Sequence, residues 1–123
     1  MDSKLYGHKK MIIWQNINKT EEFVNTRILP RIPHYKRWLR RQIESACDSI
    51  GANFVEGYYS GSIPEYIRFL FYSKRSLAEL RDHIERANLK SLISLQTIQD
   101  FDKICCQTLY LFSRLISSLK KKV

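Results

Sequence analysis

Glycine and proline are scarce, at four and three residues in a chain of 123. A sandwich or barrel needs turn residues about every 8–12 positions, so an all-β fold is excluded and long helices are favoured. Cysteine is equally sparse: three residues, an odd number, with Cys105 and Cys106 adjacent. Neighbouring side chains diverge by about 100° on a helix, so these two cannot close a disulfide, and no cystine framework exists. No C-x-x-C occurs, and His8, His34 and His83 lack the spacing of zinc ligands. Buried, inert thiols and no metal are expected. No stretch reaches the roughly 18 apolar residues of a membrane span. Lys9 and Lys10 precede only Met11 to Trp14, too short an apolar run for a signal peptide. The expectation is a soluble, cytoplasmic protein that makes no use of a membrane.

Acidic residues are also in deficit. Twelve Asp and Glu face 21 Lys and Arg, a formal charge of +9. The excess is uneven: residues 1–41 hold ten bases and three acids, residues 42–90 six and seven, residues 91–123 five and two. Basic ends around a near-neutral middle suit a polyanion, or simply a well-solvated surface. The length is that of one domain, taken as residues 1–123, and it can bury a genuine core.

What is present is helical periodicity. Ile98, Phe101, Cys105, Thr108, Phe112, Leu115 and Leu119 alternate spacings of 3 and 4, with Ile104, Leu109, Leu111 and Ile116 widening the face. Ser94 is the expected N-cap of this helix. Tyr66, Leu70, Ser73, Leu77, Leu80, Ile84 and Ala87 form a second seam, opened by the capping box Ser62-Ile63-Pro64-Glu65. Gly57 to Gly61 reads as the preceding turn. A third seam, Leu39, Ile43, Ala46, Ile50, Asn53 and Gly57, is rich in small residues that admit a close neighbour. The first segment carries Trp14, Ile17, Val24 and Ile28 and ends at Pro30 and Pro33. Four helices joined by short loops predict an all-α, antiparallel up-and-down four-helix bundle. Trp38, Phe54, Phe69, Phe71 and Tyr72 exceed what one seam absorbs, which predicts a homo-oligomer.

Chemistry-bearing clusters are missing. No Glu has a His three residues later, as a di-iron bundle requires, and Glu79 with His83 reads as a surface pair. No partnered nucleophile and no Gly-rich phosphate loop followed by Lys occurs. Neither catalytic residues nor a cofactor are expected. Asn53 and Glu56, beside Gly57, read as structural: Asn53 fixing helix register, Glu56 accepting hydrogen bonds from a neighbouring helix or loop.

The run Gln42-Ile43-Glu44-Ser45-Ala46-Cys47-Asp48-Ser49-Ile50-Gly51-Ala52-Asn53-Phe54-Val55-Glu56-Gly57 resembles the signature of the four helix bundle proteins that include the 23S rRNA intervening-sequence proteins. That pattern is a Gln, small residues, Ser-Ile, then Asn-Ile-Ala-Glu-Gly. Glu65 to Leu70 and Ser76-Leu77-Ala78-Glu79-Leu80 resemble the stretch that follows it. The resemblance runs from about Trp14 to Leu119. Two departures stand out: Ile43-Glu44-Ser45 replaces Arg-Arg-Ala after the Gln, and Phe54-Val55 replaces Ile-Ala. The resemblance implies a ring-shaped homopentamer. A branch similar in fold, the accessory variability proteins of diversity-generating retroelements, works with a reverse transcriptase and RNA.

Two function classes follow. One is a non-catalytic protein that associates with RNA, its partners being copies of itself, RNA and, in the related branch, a reverse transcriptase. The other is a protein-interaction scaffold whose charge serves solubility. For the first, the contacts are expected from Lys9 and Lys10, from Arg31, Lys36, Arg37, Arg40 and Arg41, and from Lys120, Lys121 and Lys122. Arg37, Arg40 and Arg41 share one helix face. Tyr35 and Trp38 among them could stack on a base, although Trp38 also suits a core or interface position.

Overall fold

The computed structural model describes residues 7–123, and among these it contains helices and no strands. A short 3-10 turn, Gly7–Lys10, leads into α1 (Ile12–Phe23). The chain then continues through a π turn, Val24–Ile28, and a 3-10 turn, Leu29–Arg31. Three longer helices follow: α2 (Arg37–Tyr58), α3 (Ile63–Leu89) and α4 (Leu95–Lys120).

Cross-helix partners fix the topology. Gly51 of α2 lies against Ile17 and Trp14 of α1, and further down Arg40 of α2 reaches Leu29. Gly57 abuts Tyr66 and Phe69 of α3, while Ile50 of α2 meets Ser73. Arg81 of α3 pairs with Asp102 of α4, and Lys74 with Ser113. Asn16 of α1 reaches Thr108 of α4, and Phe23 packs on Phe101. In every pair one number rises as the other falls. The bundle is therefore antiparallel and up-and-down, with α1 closing against α4.

The core follows the seams with informative shifts. In α3, Leu70, Ser73, Leu77, Leu80, Ile84 and Ala87 are all buried, as their spacing predicts. In α4 the row steps from Phe112 to Ile116, and Leu115 is only half-buried. A straight helix drifts about 20° per heptad from a strict 3.5 repeat, so after two heptads the next core position is i+4. In α2 the core row carries Phe54, fully buried, where the seam placed Asn53. Phe54 is thus no surplus apolar residue. Phe69 and Tyr72 are half-buried, leaving Trp38 and Phe71 exposed.

Two caps behave as expected. Ser94 Oγ accepts from Thr97 N–H at 3.2 Å and Ser62 Oγ from Glu65 N–H at 3.3 Å. The capping box is only half-formed, because the Glu65 carboxylate takes two hydrogen bonds from the Arg68 guanidinium instead. The turn before α3 starts later than the glycine suggests. Gly57 is a buried helical residue whose missing side chain admits α3: a Cβ there would stand 2.8 Å from Phe69 Cβ and 3.2 Å from the Tyr66 carbonyl oxygen. Gly61, at φ +76°, makes the actual bend.

Register is pinned by residues other than Asn53 and Glu56. Asn53 is partly buried, and its Nδ2 donates to Ser49 O within its own helix. Glu56 is exposed. The pins are Ser73 Oγ, fully buried and donating to Ile50 O at 2.9 Å, and Asn16 Nδ2, donating to Thr108 Oγ1 at 3.5 Å. A hydroxyl left unpaired in such a core would cost about 1–3 kcal/mol, which makes the Ser73 pin selective for one register; the Thr108 hydroxyl also donates to Ile104 O in its own helix.

Candidate nucleic-acid interface

Antiparallel packing sorts the ten expected contact residues into two groups at opposite ends of the bundle. Arg31, Lys36, Arg37, Arg40 and Arg41 lie where α1 ends and α2 begins, beside the end of α3. Lys9, Lys10 and Lys120 to Lys122 lie where α1 begins and α4 ends. The 27-residue α3 spans about 40 Å between them. One continuous patch does not form.

Within the first group the roles differ. Arg40 is a structural residue: its Nη1 donates to Leu29 O at 2.6 Å and to Ile32 O at 2.8 Å. Those carbonyls belong to the irregular end of the first helix, where Leu29 O also accepts from Ile32 N–H at 3.1 Å. Arg40 is half-buried, and its Nη1 is committed to the fold. Arg41 is exposed but shares a shallow cleft with Glu44 and Asp48, which lowers its potential toward an anion. Arg37 is exposed, and Lys36 holds its Nζ over the Tyr35 ring at 5.8 Å. Tyr35 and Trp38 are 81% and 71% exposed, so Trp38 is outside the core of the single chain.

The start of α2 faces the end of α3 across a groove of ≈490 Å³. Lys36, Trp38 and Leu39 form one wall, and Asp82, His83, Arg86 and Lys90 the other. Arg86 Nε donates to Asp82 at 2.8 Å, which holds that carboxyl below its ordinary value and the guanidinium above its own. His83 has a buried Nδ1 without a hydrogen-bond partner. Sequence reasoning missed Arg86 and Lys90. They sit in the charge-neutral middle of the chain, and only the return of α3 brings them to the basic end.

At the opposite end the lysines meet aromatics. Lys120 Nζ lies 5.4 Å and Lys74 Nζ 5.6 Å from the centroid of Phe71, which is 43% exposed. Arg68 and Arg75 each lie over Tyr72, and Arg114 over Tyr110. Arg68, Phe71, Tyr72 and Arg75 follow i, i+3, i+4, i+7 and share one face. That spacing was readable in the sequence, but its aromatics were assigned to surplus apolar surface. Below this face the end is closed. His8 Nδ1 pairs with Tyr59 OH at 2.8 Å, and Trp14, Phe54, Tyr58 and Tyr66 pack ring against ring at 6.0–6.3 Å.

No three His, Cys, Asp or Glu among the described residues cluster as metal ligands, and no described helix is long and apolar enough to cross a membrane. All three thiols are free. Burial, the dominant cause, pushes Cys47 up to about 12 and Cys105 up to about 11, whereas Cys106 is exposed and departs from the expected burial.

Fold and surface together define a small basic four-helix bundle whose cations gather at its two ends. Residues 9–113 match the family described as 23S rRNA-intervening sequence protein. The chain belongs to that family. Comparison with curated proteins finds no match.

Proposed function

We propose that this chain is a cytoplasmic, non-catalytic RNA-binding protein that holds RNA by phosphate contacts from its two cationic ends. The observation that supports this reading most is the interleaving of cations and rings at the surface: exposed Arg37, Tyr35 and Trp38 with half-buried Lys36 at one end, exposed Arg68, Phe71, Arg75 and Lys120 with half-buried Tyr72 and Lys74 at the other. Cations supply sequence-independent attraction to phosphates, and rings add stacking to unpaired bases. Membership of a family named for 23S rRNA intervening sequences is consistent with it.

The reading extends to self-assembly. Exposed Phe71, Tyr110 and Leu95 support a contact between copies, and the homopentameric ring implied by the resemblance is the proposed form. A scaffold that docks another protein, such as a reverse transcriptase, draws on the same exposed apolar residues.

Titration of RNA affinity against salt tests the RNA reading. Each phosphate contact contributes about 0.7–0.9 to the slope of log affinity against log salt. A slope of at least about 3 supports RNA binding. No affinity at roughly 50 mM salt overturns it in favour of the scaffold. Light scattering separates a pentamer from the 14.7 kDa monomer.

A further inference from the structure

We propose that the groove between the start of α2 and the end of α3 is a seat for one unpaired nucleotide of an RNA strand, with the base against Trp38 and its phosphates against Lys36 and Lys90. The inference rests on the RNA reading above and names where and in what form the strand is recognised.

Shape is the first argument. The groove, at ≈490 Å³, is ample for a base and its sugar. Lining is the second. Trp38 stands on one wall with 71% of its surface open to solvent, and the His83 ring stands on the opposite wall. A tryptophan this exposed at the mouth of a cavity presents a stacking face that the fold itself does not use.

Charge is the third argument. Three cations line the groove, Lys36, Arg86 and Lys90, against one carboxylate, Asp82, which Arg86 already neutralises. Arg37 adds positive potential beside the rim. An acidic peptide would also find these cations. The broad aromatic face with positive charge on both walls favours a stacked base with phosphates on either side. Duplex RNA is the wrong shape, since its bases are stacked on one another and cannot enter.

Tryptophan emission offers a direct readout, because Trp14 is half-buried in the bundle while Trp38 is exposed. Titrating the full chain with a ten-nucleotide oligoadenylate should quench emission, and Trp38→Ala should abolish that quench. Trp38→Ala should weaken binding about 5- to 150-fold, and Trp38→Phe should retain most of the affinity. A ten-base-pair RNA duplex should bind more weakly and leave Trp38 emission unchanged. Trp38 is exposed, so both variants should keep the parent circular dichroism.

Oligoadenylate binding that Trp38→Ala leaves intact overturns the groove while the RNA reading stands. Absence of binding by both strand and duplex overturns the RNA reading and the groove with it. Adenosine monophosphate binding as tightly as the oligomer overturns the choice of a strand and assigns the seat to a free nucleotide. A change of Trp38 emission with protein concentration alone makes the groove a contact between copies and overturns the proposal.

Discussion

The two ends of this bundle carry the same sign of charge and arrange their aromatic residues differently. At the end formed by the starts of α1 and α3, Trp14, Phe54, Tyr58 and Tyr66 pack on one another beside the cation-covered rings of Phe71 and Tyr72, and even the polar ring of His8 is buried and hydrogen-bonded to Tyr59. At the end formed by the start of α2 and the close of α3, Tyr35 and Trp38 stand in solvent beside an open groove. The cause lies in the connections. The turn between α2 and α3 is tight, and Gly57 lets the two helices touch there, so Phe54, Tyr58 and Tyr66 pack on one another. The first helix instead reaches α2 through a π turn, a 3-10 turn and two prolines. That irregular approach is tied to the start of α2 by Arg40, and a groove stays open beside Trp38. One end holds a closed aromatic cluster, and the other an open groove.

The largest effect that would test this contrast is at Gly57. Gly57→Leu should cost about 1–3 kcal/mol or more, since even a Cβ collides with Phe69 and with the Tyr66 backbone. Gly51→Ala, whose Cβ would sit at an ordinary 3.4 Å from Ile17, should be neutral or slightly stabilising through helix propensity. Urea melts in which Gly51→Ala is the worse of the two would show that the close approach has been misplaced. Next in size is Arg40. Arg40→Met should destabilise by about 1.5–3 kcal/mol, because two carbonyls lose a charged donor, while Arg41→Gln should shift the melt by less than about 0.5 kcal/mol.

Binding separates the ends further. Replacing Lys36, Arg37 and Lys90 together by Gln should flatten the salt slope by about 2 with the fold intact. A comparable change from Lys120, Lys121 and Lys122 is expected if both ends hold phosphates, and no change there would confine binding to the groove end. Thiol titration gives a smaller, cleaner check on packing. One thiol per chain, Cys106, should react with a disulfide reagent at pH 8 in the folded protein, and Cys47 and Cys105 only after denaturation.

The smallest expected effect is a pH dependence at the closed end. Burial first, and Lys9 second, lower the pKa of His8 from its ordinary value. The unfolded chain therefore binds the proton more readily, and stability rises with pH through that window. The contribution of His8 is fully present above about pH 6.5 and is lost as pH falls through the folded value. His8→Gln should remove this part of the dependence, and thermal melts from pH 7.5 down to pH 5 would reveal it.

Much of the bundle was legible because its helices repeat one physical demand. In α3 every seam residue from Leu70 to Ala87 is buried, and Ser62 and Ser94 cap where their spacing places them. What was not legible depends on partners far away in the chain. Asn53 and Glu56 looked like register-fixing residues, yet helical phase turns Phe54 inward, and Ser73 and Asn16 provide the cross-helix bonds. Arg40 looked like one of three surface arginines, and nothing local reveals that its Nη1 donates to the carbonyls of Leu29 and Ile32. The candidate site followed the same rule. Its α2 wall could be read from charge and aromatics side by side, whereas Arg86 and Lys90 join it only when α3 folds back.

The π turn between α1 and the prolines has a consequence for how chain length can vary in this fold. A π turn takes one residue more than an α turn to complete the same rotation, so it behaves as an inserted residue absorbed in place. Excising one exposed residue there, such as Asn25, converts the bulge to regular helix and leaves Ile28 and Leu29 in phase with the core. The same excision in the middle of α3 rotates every later side chain by about 100° and carries Leu80, Ile84 and Ala87 out of the interior. Single-residue deletions should thus be tolerated in this five-residue window, Val24–Ile28, and not in the middle of α3.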